Sequence, residues 1–97
     1  MIFEVAEFRV KEGMEESFIR GTEASKLLFR QVPGFKGLEL HQEVDDPRNF
    51  MVIASWETAD HRLDMRKTEL YPQIRAQVEH CFSVPPTARH THKLVGY

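Results

Sequence analysis

Residues 2–10 alternate between two sets of side chains. One set consists of Ile2, Glu4, Ala6, Phe8 and Val10. The other consists of Phe3, Val5, Glu7 and Arg9. A period of two with β-branched and aromatic side chains predicts a β-strand. Because each face carries both apolar side chains and a charge, we expect both faces to be at least partly covered.

A helical period follows over residues 14–31. Apolar or small side chains recur there every three or four positions, at Met14, Phe18, Gly21, Ser25, Leu28 and Val32. Pro33 and Gly34 end the helix. Gly21 lowers the helix propensity by about 1 kcal/mol relative to alanine, which indicates a close approach to the sheet.

Two further strands are predicted at residues 37–44 and 50–57. The segment between them, Asp45-Asp46-Pro47-Arg48-Asn49, has strong turn chemistry. A connection this short makes the two strands an antiparallel hairpin.

A second helical region is predicted over residues 59–82. Asp60 is the expected N-cap, with Thr58 as the alternative. Pro72 fits only the first turn of a new helix, so a break is expected near Thr68. The apolar side of this region consists of Leu63, Leu70, Ile74, Val78 and Cys81. After the linker Val84-Pro85-Pro86, a last strand is predicted over residues 87–95.

The order strand, helix, strand, strand, helix, strand is typical of the α+β ferredoxin-like fold. It predicts a single domain over residues 1–97, with a four-stranded antiparallel sheet and the helices on one face. The other face then carries Phe3, Val5, Met51 and Ile53, which is too apolar for water. We therefore expect a homodimer in which two sheets pack face to face.

Composition narrows the class of protein. The 97 residues carry a formal net charge of -2 with both signs interspersed, so neither nucleic-acid binding nor membrane binding is expected. The single cysteine, Cys81, excludes an internal disulfide. The first residues carry acids where a signal peptide needs an apolar run. We expect a soluble cytoplasmic protein.

Three elements of the chain resemble a known family. They are the run Pro33-Gly34-Phe35-Lys36-Gly37-Leu38-Glu39-Leu40, the turn with Asp45-Asp46-Pro47, and the strand end Ser55-Trp56-Glu57-Thr58. Together with the helix that follows, they resemble the antibiotic biosynthesis monooxygenase domain, from Phe3 to about Val95. The resemblance implies a homodimer whose sheets form a barrel. It also implies one of several activities, since the family includes cofactor-independent monooxygenases of phenols and quinols, haem-degrading enzymes and members without an assigned substrate.

The resemblance implies a cavity between sheet and helices. Trp56 matches the tryptophan that lines it, and the small Ala54 on the same strand face leaves room for a ligand. The residues expected to bind the substrate are Trp56, Phe8, Phe18, Leu40 and Met65. The same residues also suit a filled core, so the sequence leaves both interpretations open.

Two positions weigh against haem degradation. Phe8 falls where the haem-degrading members carry an asparagine, and phenylalanine cannot hydrogen-bond a ligand. The histidine that ligates iron in those members aligns near Arg75. No metal and no cofactor are therefore predicted.

The catalytic candidates are His61 and Tyr71. His61 could act as a base near neutral pH, and Tyr71 could donate a hydrogen bond to a phenol or quinone oxygen. An exposed helix histidine and a half-buried core tyrosine are the alternatives.

The remaining chemistry-bearing side chains have weaker assignments. His41 is expected in solvent or at the dimer interface, and His80 near a helix end. His90 and His92 share a strand face without an evident third metal ligand. Cys81 is expected to be buried without a neighbouring base. Glu7 and Arg9 share the open sheet face, where they could pair across the dimer.

The sequence thus predicts a cofactor-independent monooxygenase that acts on a small aromatic phenol or quinol. A dimer that binds a small ligand without chemistry is the alternative, and a haem-binding protein is a third possibility.

Overall fold

A computed structural model describes all 97 residues of the chain. The strands are β1 (Ile2–Arg9), β2 (Phe35–Gln42), β3 (Asn49–Trp56) and β4 (Thr87–Thr91). The helices are α1 (Glu15–Ala24), α2 (Lys26–Phe29), α3 (Ala59–Asp64) and α4 (Leu70–Ala76). Short 3₁₀ turns follow α3 at Met65–Lys67 and α4 at Glu79–Cys81.

The four strands form one antiparallel sheet in the order β2-β3-β1-β4. Val5 lies opposite Ile53 on one side and opposite Arg89 on the other. This order and the helices on one face confirm the predicted ferredoxin-like fold.

The core lies between the helices and the inner face of the sheet. Its largest completely buried side chains are Trp56, at 0% exposure, and Phe18, at 1%. The β3 residues Phe50, Val52, Ala54 and Trp56 are all buried, so the predicted alternation of β3 is confirmed.

The predicted first helix is split at Ser25. The Ser25 hydroxyl donates to the Thr22 carbonyl at 2.6 Å, and the Thr22 hydroxyl donates to the Phe18 carbonyl at 2.9 Å. Such bonds from side chain to backbone compete with the helical pattern and bend helices. The chain therefore continues as the separate short helix α2.

The second helical region breaks at Thr68, whose backbone is extended, as predicted from Pro72. Its N-cap is Thr58, whose hydroxyl accepts from the His61 amide at 3.2 Å, and Asp60 lies in the first turn instead. The prediction that Leu63 belongs to the apolar side was wrong, because Leu63 is 43% exposed.

Gly21 marks a close contact, but with a different element from the one expected. A side chain at this position would collide with the backbone carbonyl of Gln77, at the end of α4. The absence of a Cβ thus permits the approach of α1 to α4, and the predicted approach to the sheet was wrong.

The open face of the sheet carries partly exposed Phe3, Val5, Met51 and Ile53. The two charged residues of β1 on this face have partners within the chain. Glu7 pairs with Arg89 at 3.2 Å, and Arg9 pairs with Asp46 at 3.0 Å. The pairing of Glu7 and Arg9 across a dimer stays a prediction.

Candidate functional site

A cavity of about 620 Å³ lies between the helices and the inner face of β1 and β4. We call it the first cavity. The connection from Ser83 to Pro86, including Pro85, forms part of its wall.

Aromatic and aliphatic side chains line most of the first cavity. The ring centroids of Phe8 and Phe18 are 5.2 Å apart, and those of Phe8 and Phe82 are 5.4 Å apart. Met65 and Ile74 complete this apolar surface. The tilted ring pairs are of the stabilising kind, so the apolar wall is preformed.

A buried polar network forms part of the wall of the first cavity. The Glu4 carboxylate accepts from Trp56 Nε1 at 3.2 Å and pairs with an Arg62 guanidinium nitrogen at 2.9 Å. The side chains of Glu4 and Arg62 are only 12% and 11% exposed. The Nε of Arg62 is buried without a hydrogen-bond partner, so this guanidinium keeps an unused donor.

Two further arginines line the first cavity. Arg75 lies over the Phe82 ring, 5.3 Å from its centroid, and pairs with Glu79 at 3.3 Å. Arg66 forms no ion pair. The wall therefore carries more positive than negative charge, although the whole chain has a net charge of -2.

The predicted substrate-binding residues divide into three groups. Phe8, Phe18 and Met65 line the first cavity. Trp56 does not line it, since its indole is completely buried. Leu40 lies outside it and lines a second cavity of about 630 Å³ between the α1–α2 segment and β2.

The two catalytic candidates are also separated. Tyr71 lines the first cavity and is half-buried. His61 lies outside both cavities. Its Nδ1 is 2.7 Å from the Thr58 hydroxyl, and its ring packs over Gly34, where a positive φ of 80° and the close ring favour glycine.

Sequence reasoning missed Glu4, Arg62 and Arg66. A signal for Glu4 was present, because it is the only charged residue in the buried alternation set of β1. A charge on a covered strand face requires a partner. Nothing in the local pattern identified that partner as Arg62, which is distant in sequence.

The histidines and the cysteine lie apart from one another. His41 Nε2 is 2.8 Å from the Glu39 carboxylate, and His80, His90 and His92 are exposed. No three His, Cys, Asp or Glu side chains are grouped closely enough to hold a metal ion. Burial raises the pKa of the Cys81 thiol.

The fold and the cavity together define a ferredoxin-like α+β protein with a ligand-sized space between helices and sheet. The family model of the antibiotic biosynthesis monooxygenases matches residues 1–83. The chain therefore belongs to the antibiotic biosynthesis monooxygenase family, and this membership supports a monooxygenase in general terms.

Solved structures agree with this assignment. A Bordetella bronchiseptica protein with the same family assignment is 30% identical, with a TM-score of 0.94 and 97% of each chain covered. A Nitrosomonas europaea protein assigned to the family is 20% identical, with a TM-score of 0.82 over 96% of this chain and 89% of that one. SnoaB, a cofactor-independent oxygenase from Streptomyces nogalater, shares the fold at 17% identity, with a TM-score of 0.83 over 98% and 94% of the two chains.

No curated protein sequence matches the chain. None of its helices combines the length and the apolar character needed to cross a bilayer.

Proposed function

We propose that the protein is a cofactor-independent monooxygenase that oxidises a small phenol or quinol in the first cavity. The observation that carries this proposal is the lining itself, in which aromatic rings and three arginines, one of them without an ion pair, border one space of about 620 Å³. Ligand sites typically combine a large apolar wall with a few polar groups. The name of SnoaB supports the same chemistry in a protein of the same fold.

The reaction needs no cofactor because an electron-rich substrate supplies the electrons. When an anthrone becomes an anthraquinone, one atom of O₂ becomes double-bonded to the ring carbon that was a CH₂ group. The other oxygen atom leaves as water with the two hydrogens of that group. The substrate loses four electrons, and the O₂ molecule gains them. The task of the protein is to favour the deprotonated substrate and to keep it away from bulk water.

The arginines that line the cavity favour the deprotonated substrate. Arg66 and Arg75 line the cavity, and a cation near a phenol favours its ionised form. The charge of Arg62 is already balanced by Glu4 at 2.9 Å. Arg75 is likewise paired with Glu79 at 3.3 Å. We therefore assign anion stabilisation to Arg66, and we retain Tyr71 as the donor to the substrate oxygen.

Trp56 acts indirectly in this proposal. Its Nε1 donates to the Glu4 carboxylate, which in turn pairs with Arg62 in the wall of the cavity. The hydrophobic contacts to the substrate come from Phe8, Phe18 and Met65.

Oxygen consumption tests the function. The purified protein is supplied with a panel of anthrones, naphthoquinols and hydroxynaphthoquinones, and O₂ uptake is followed with an electrode. We expect turnover of at least one class, reduced about tenfold or more in Tyr71→Phe and Arg66→Gln. The matched control is Lys67→Gln, whose side chain is 82% exposed and pairs with Asp64 outside the cavity.

Two outcomes would overturn the proposal. Ligand-dependent thermal stabilisation without any O₂ uptake would identify a binding protein instead. A Soret band on haem titration, followed by ring opening with a reductant, would identify a haem-degrading enzyme.

We also propose that the protein is a homodimer formed through the open sheet face. Phe3, Val5, Met51 and Ile53 form a contiguous apolar patch across β1 and β3. A chain of 97 residues buries only about 60–65% of its unfolded surface. Covering this patch with a second copy supplies the apolar burial that one chain lacks.

A further inference from the structure

The second cavity combines an apolar floor with a positively charged rim. It has a volume of about 630 Å³ and lies on the side of the α1–α2 segment that faces β2. Its floor includes Phe29, Phe35, Leu38 and Leu40. The rings of Phe29 and Phe35 have centroids 5.2 Å apart, so the floor is a preformed aromatic surface.

Three cations surround this floor. Lys26 and Arg30 are four residues apart in the helical α2 region and so lie on the same side, and Lys36 comes from β2. All three line the cavity, and Glu23 is the only acidic side chain that does. None of the three cations pairs with a carboxylate.

The charge at this cavity is opposite in sign to the charge of the whole chain. Three cations face one carboxylate, whereas the chain carries a net charge of -2. A concave surface of one sign raises the local concentration of the opposite ion. The aromatic rings of the floor favour contact with apolar groups. A ligand with an apolar part therefore fits this cavity better than a fully hydrated inorganic ion.

From this combination we infer that the second cavity binds an organic anion, namely a carboxylate or sulfonate attached to an apolar ring system. The ring packs on Phe29 and Phe35, and the anionic group lies among Lys26, Arg30 and Lys36. This inference does not depend on the monooxygenase proposal, because the two cavities have no charged residue in common.

The two cavities share a wall. Thr22, Ser25, Phe29 and Leu38 line both of them. Thr22 and Ser25 are the residues whose hydroxyl groups bond to the helix backbone at the break between α1 and α2. A ligand in the second cavity therefore contacts side chains that also shape the first.

Two fluorescent dyes test the inference. Anilinonaphthalenesulfonate carries a sulfonate on its naphthalene ring, and N-phenylnaphthylamine is the corresponding neutral dye. Each is titrated into the folded protein and its Kd is measured by fluorescence. We expect the triple variant Lys26→Gln/Arg30→Gln/Lys36→Gln to raise the Kd of the sulfonate about tenfold or more. The Kd of the neutral dye should change by less than about twofold.

Matched variants separate this site from general charge effects. Lys11→Gln/Lys67→Gln/Lys93→Gln removes the same charge outside both cavities and should leave the Kd of the sulfonate within about twofold. Equal Kd values in the two triple variants would overturn the inference.

A third variant tests whether the sulfonate binds in the first cavity instead. Arg66→Gln/Arg75→Gln removes two of the cations that line that cavity and should leave the Kd of the sulfonate unchanged. A weakening seen only in this variant would place the anion in the first cavity and overturn the inference. Far-ultraviolet circular dichroism confirms that each variant is folded before its Kd is compared.

Discussion

Glu4 is the residue on which the polar part of the first cavity wall depends. Its two carboxylate oxygens bind the Trp56 indole and the Arg62 guanidinium. Both members of the ion pair are nearly buried. Removing one member of such a pair leaves the other charge without compensation in a poorly solvated place.

We therefore expect Glu4→Gln to lower the free energy of unfolding by about 3 kcal/mol. Glutamine can still accept from the indole, so the loss arises from the uncompensated charge of Arg62. The measurement is urea unfolding followed by the fluorescence of Trp56, the only tryptophan.

Two controls identify the cause. The double variant Glu4→Gln/Arg62→Met should recover most of the loss, because it removes both charges. Glu16→Gln, in an exposed pair with Arg20 at 3.3 Å, should change the free energy by less than about 0.5 kcal/mol. A double variant as unstable as Glu4→Gln would contradict the charge argument.

Asp46 gives the stability a dependence on acid pH. A hydrogen bond from Arg9, followed by one from the Arg48 backbone amide, holds the pKa of Asp46 below its ordinary value of 3.8. A lowered carboxyl pKa contributes stability that is present above the unfolded pKa and is lost as the pH falls through the folded pKa.

The unfolding free energies of the protein and of Asp46→Asn should therefore differ by a constant amount above about pH 5. The difference should shrink as the pH falls below about 4. Urea unfolding from pH 3 to pH 7 measures it. Asp45→Asn, at the adjacent exposed position without an ion pair, serves as control, and a difference that grows in acid would refute the linkage.

At the residue scale, the sequence predicted the apolar side of the site better than its polar side. Phe8 and Phe18 follow from strand and helix periodicity, which is a local property, and Met65 follows from the family resemblance. The pairing of Glu4 with Arg62 depends on how α3 packs on the sheet, which no local pattern contains. The family resemblance predicts Trp56 in the cavity lining, but its side chain is completely buried and lies outside that lining.

At the scale of elements, the contact between α1 and α4 depends on a missing side chain. Gly21 lies against the backbone of Gln77, and a Cβ there would also lie 3.1 Å from a Val78 methyl group. Backbone atoms cannot rotate out of the way as the end of a flexible side chain can. The two helices would therefore have to separate to admit a larger residue.

Gly21→Ala should destabilise the protein by about 1–3 kcal/mol, although alanine favours the helix by about 1 kcal/mol. Thermal unfolding followed by circular dichroism measures the change. The control is Ser17→Ala, at an exposed position of α1. It also places an alanine in this helix, but without a contact to Gln77, and it should be neutral or slightly stabilising. Stabilisation by Gly21→Ala would show that the helices tolerate the added methyl group.

The order and type of the elements were predictable because hydrophobic periodicity and turn residues are local. The breaks within the two helical regions were only partly predictable. Pro72 predicts the break at Thr68, since proline fits only the first turn of a helix. The break at Ser25 has no such marker, because serine also occurs within intact helices and bends them only when its hydroxyl finds a backbone carbonyl.

At the scale of the whole molecule, the open sheet face is the feature that calls for a partner. Ile53 lies at the centre of this face, opposite Val5 on one side and Glu39 on the other. A lysine there can pair with Glu39 in one chain. Between two packed sheets it would place a charge in an apolar interface.

Ile53→Lys should therefore convert the proposed dimer into a folded monomer, raising the dimer Kd by about a hundredfold or more. Sedimentation velocity at micromolar concentration measures the assembly. Val44→Lys, at a position that is 95% exposed in the turn before β3, should leave it unchanged. A parent protein that sediments as a monomer would remove the argument for the dimer.

The wall formed by Pro85 and Pro86 has a consequence for kinetics. Each proline fixes its φ near −65° and lacks an amide donor, so this side of the first cavity has few conformations into which it could open. We therefore expect a ligand to enter without waiting for this segment to move. Its association rate is set by collision and electrostatic steering, and differences between ligands are expressed mainly in how long each one stays.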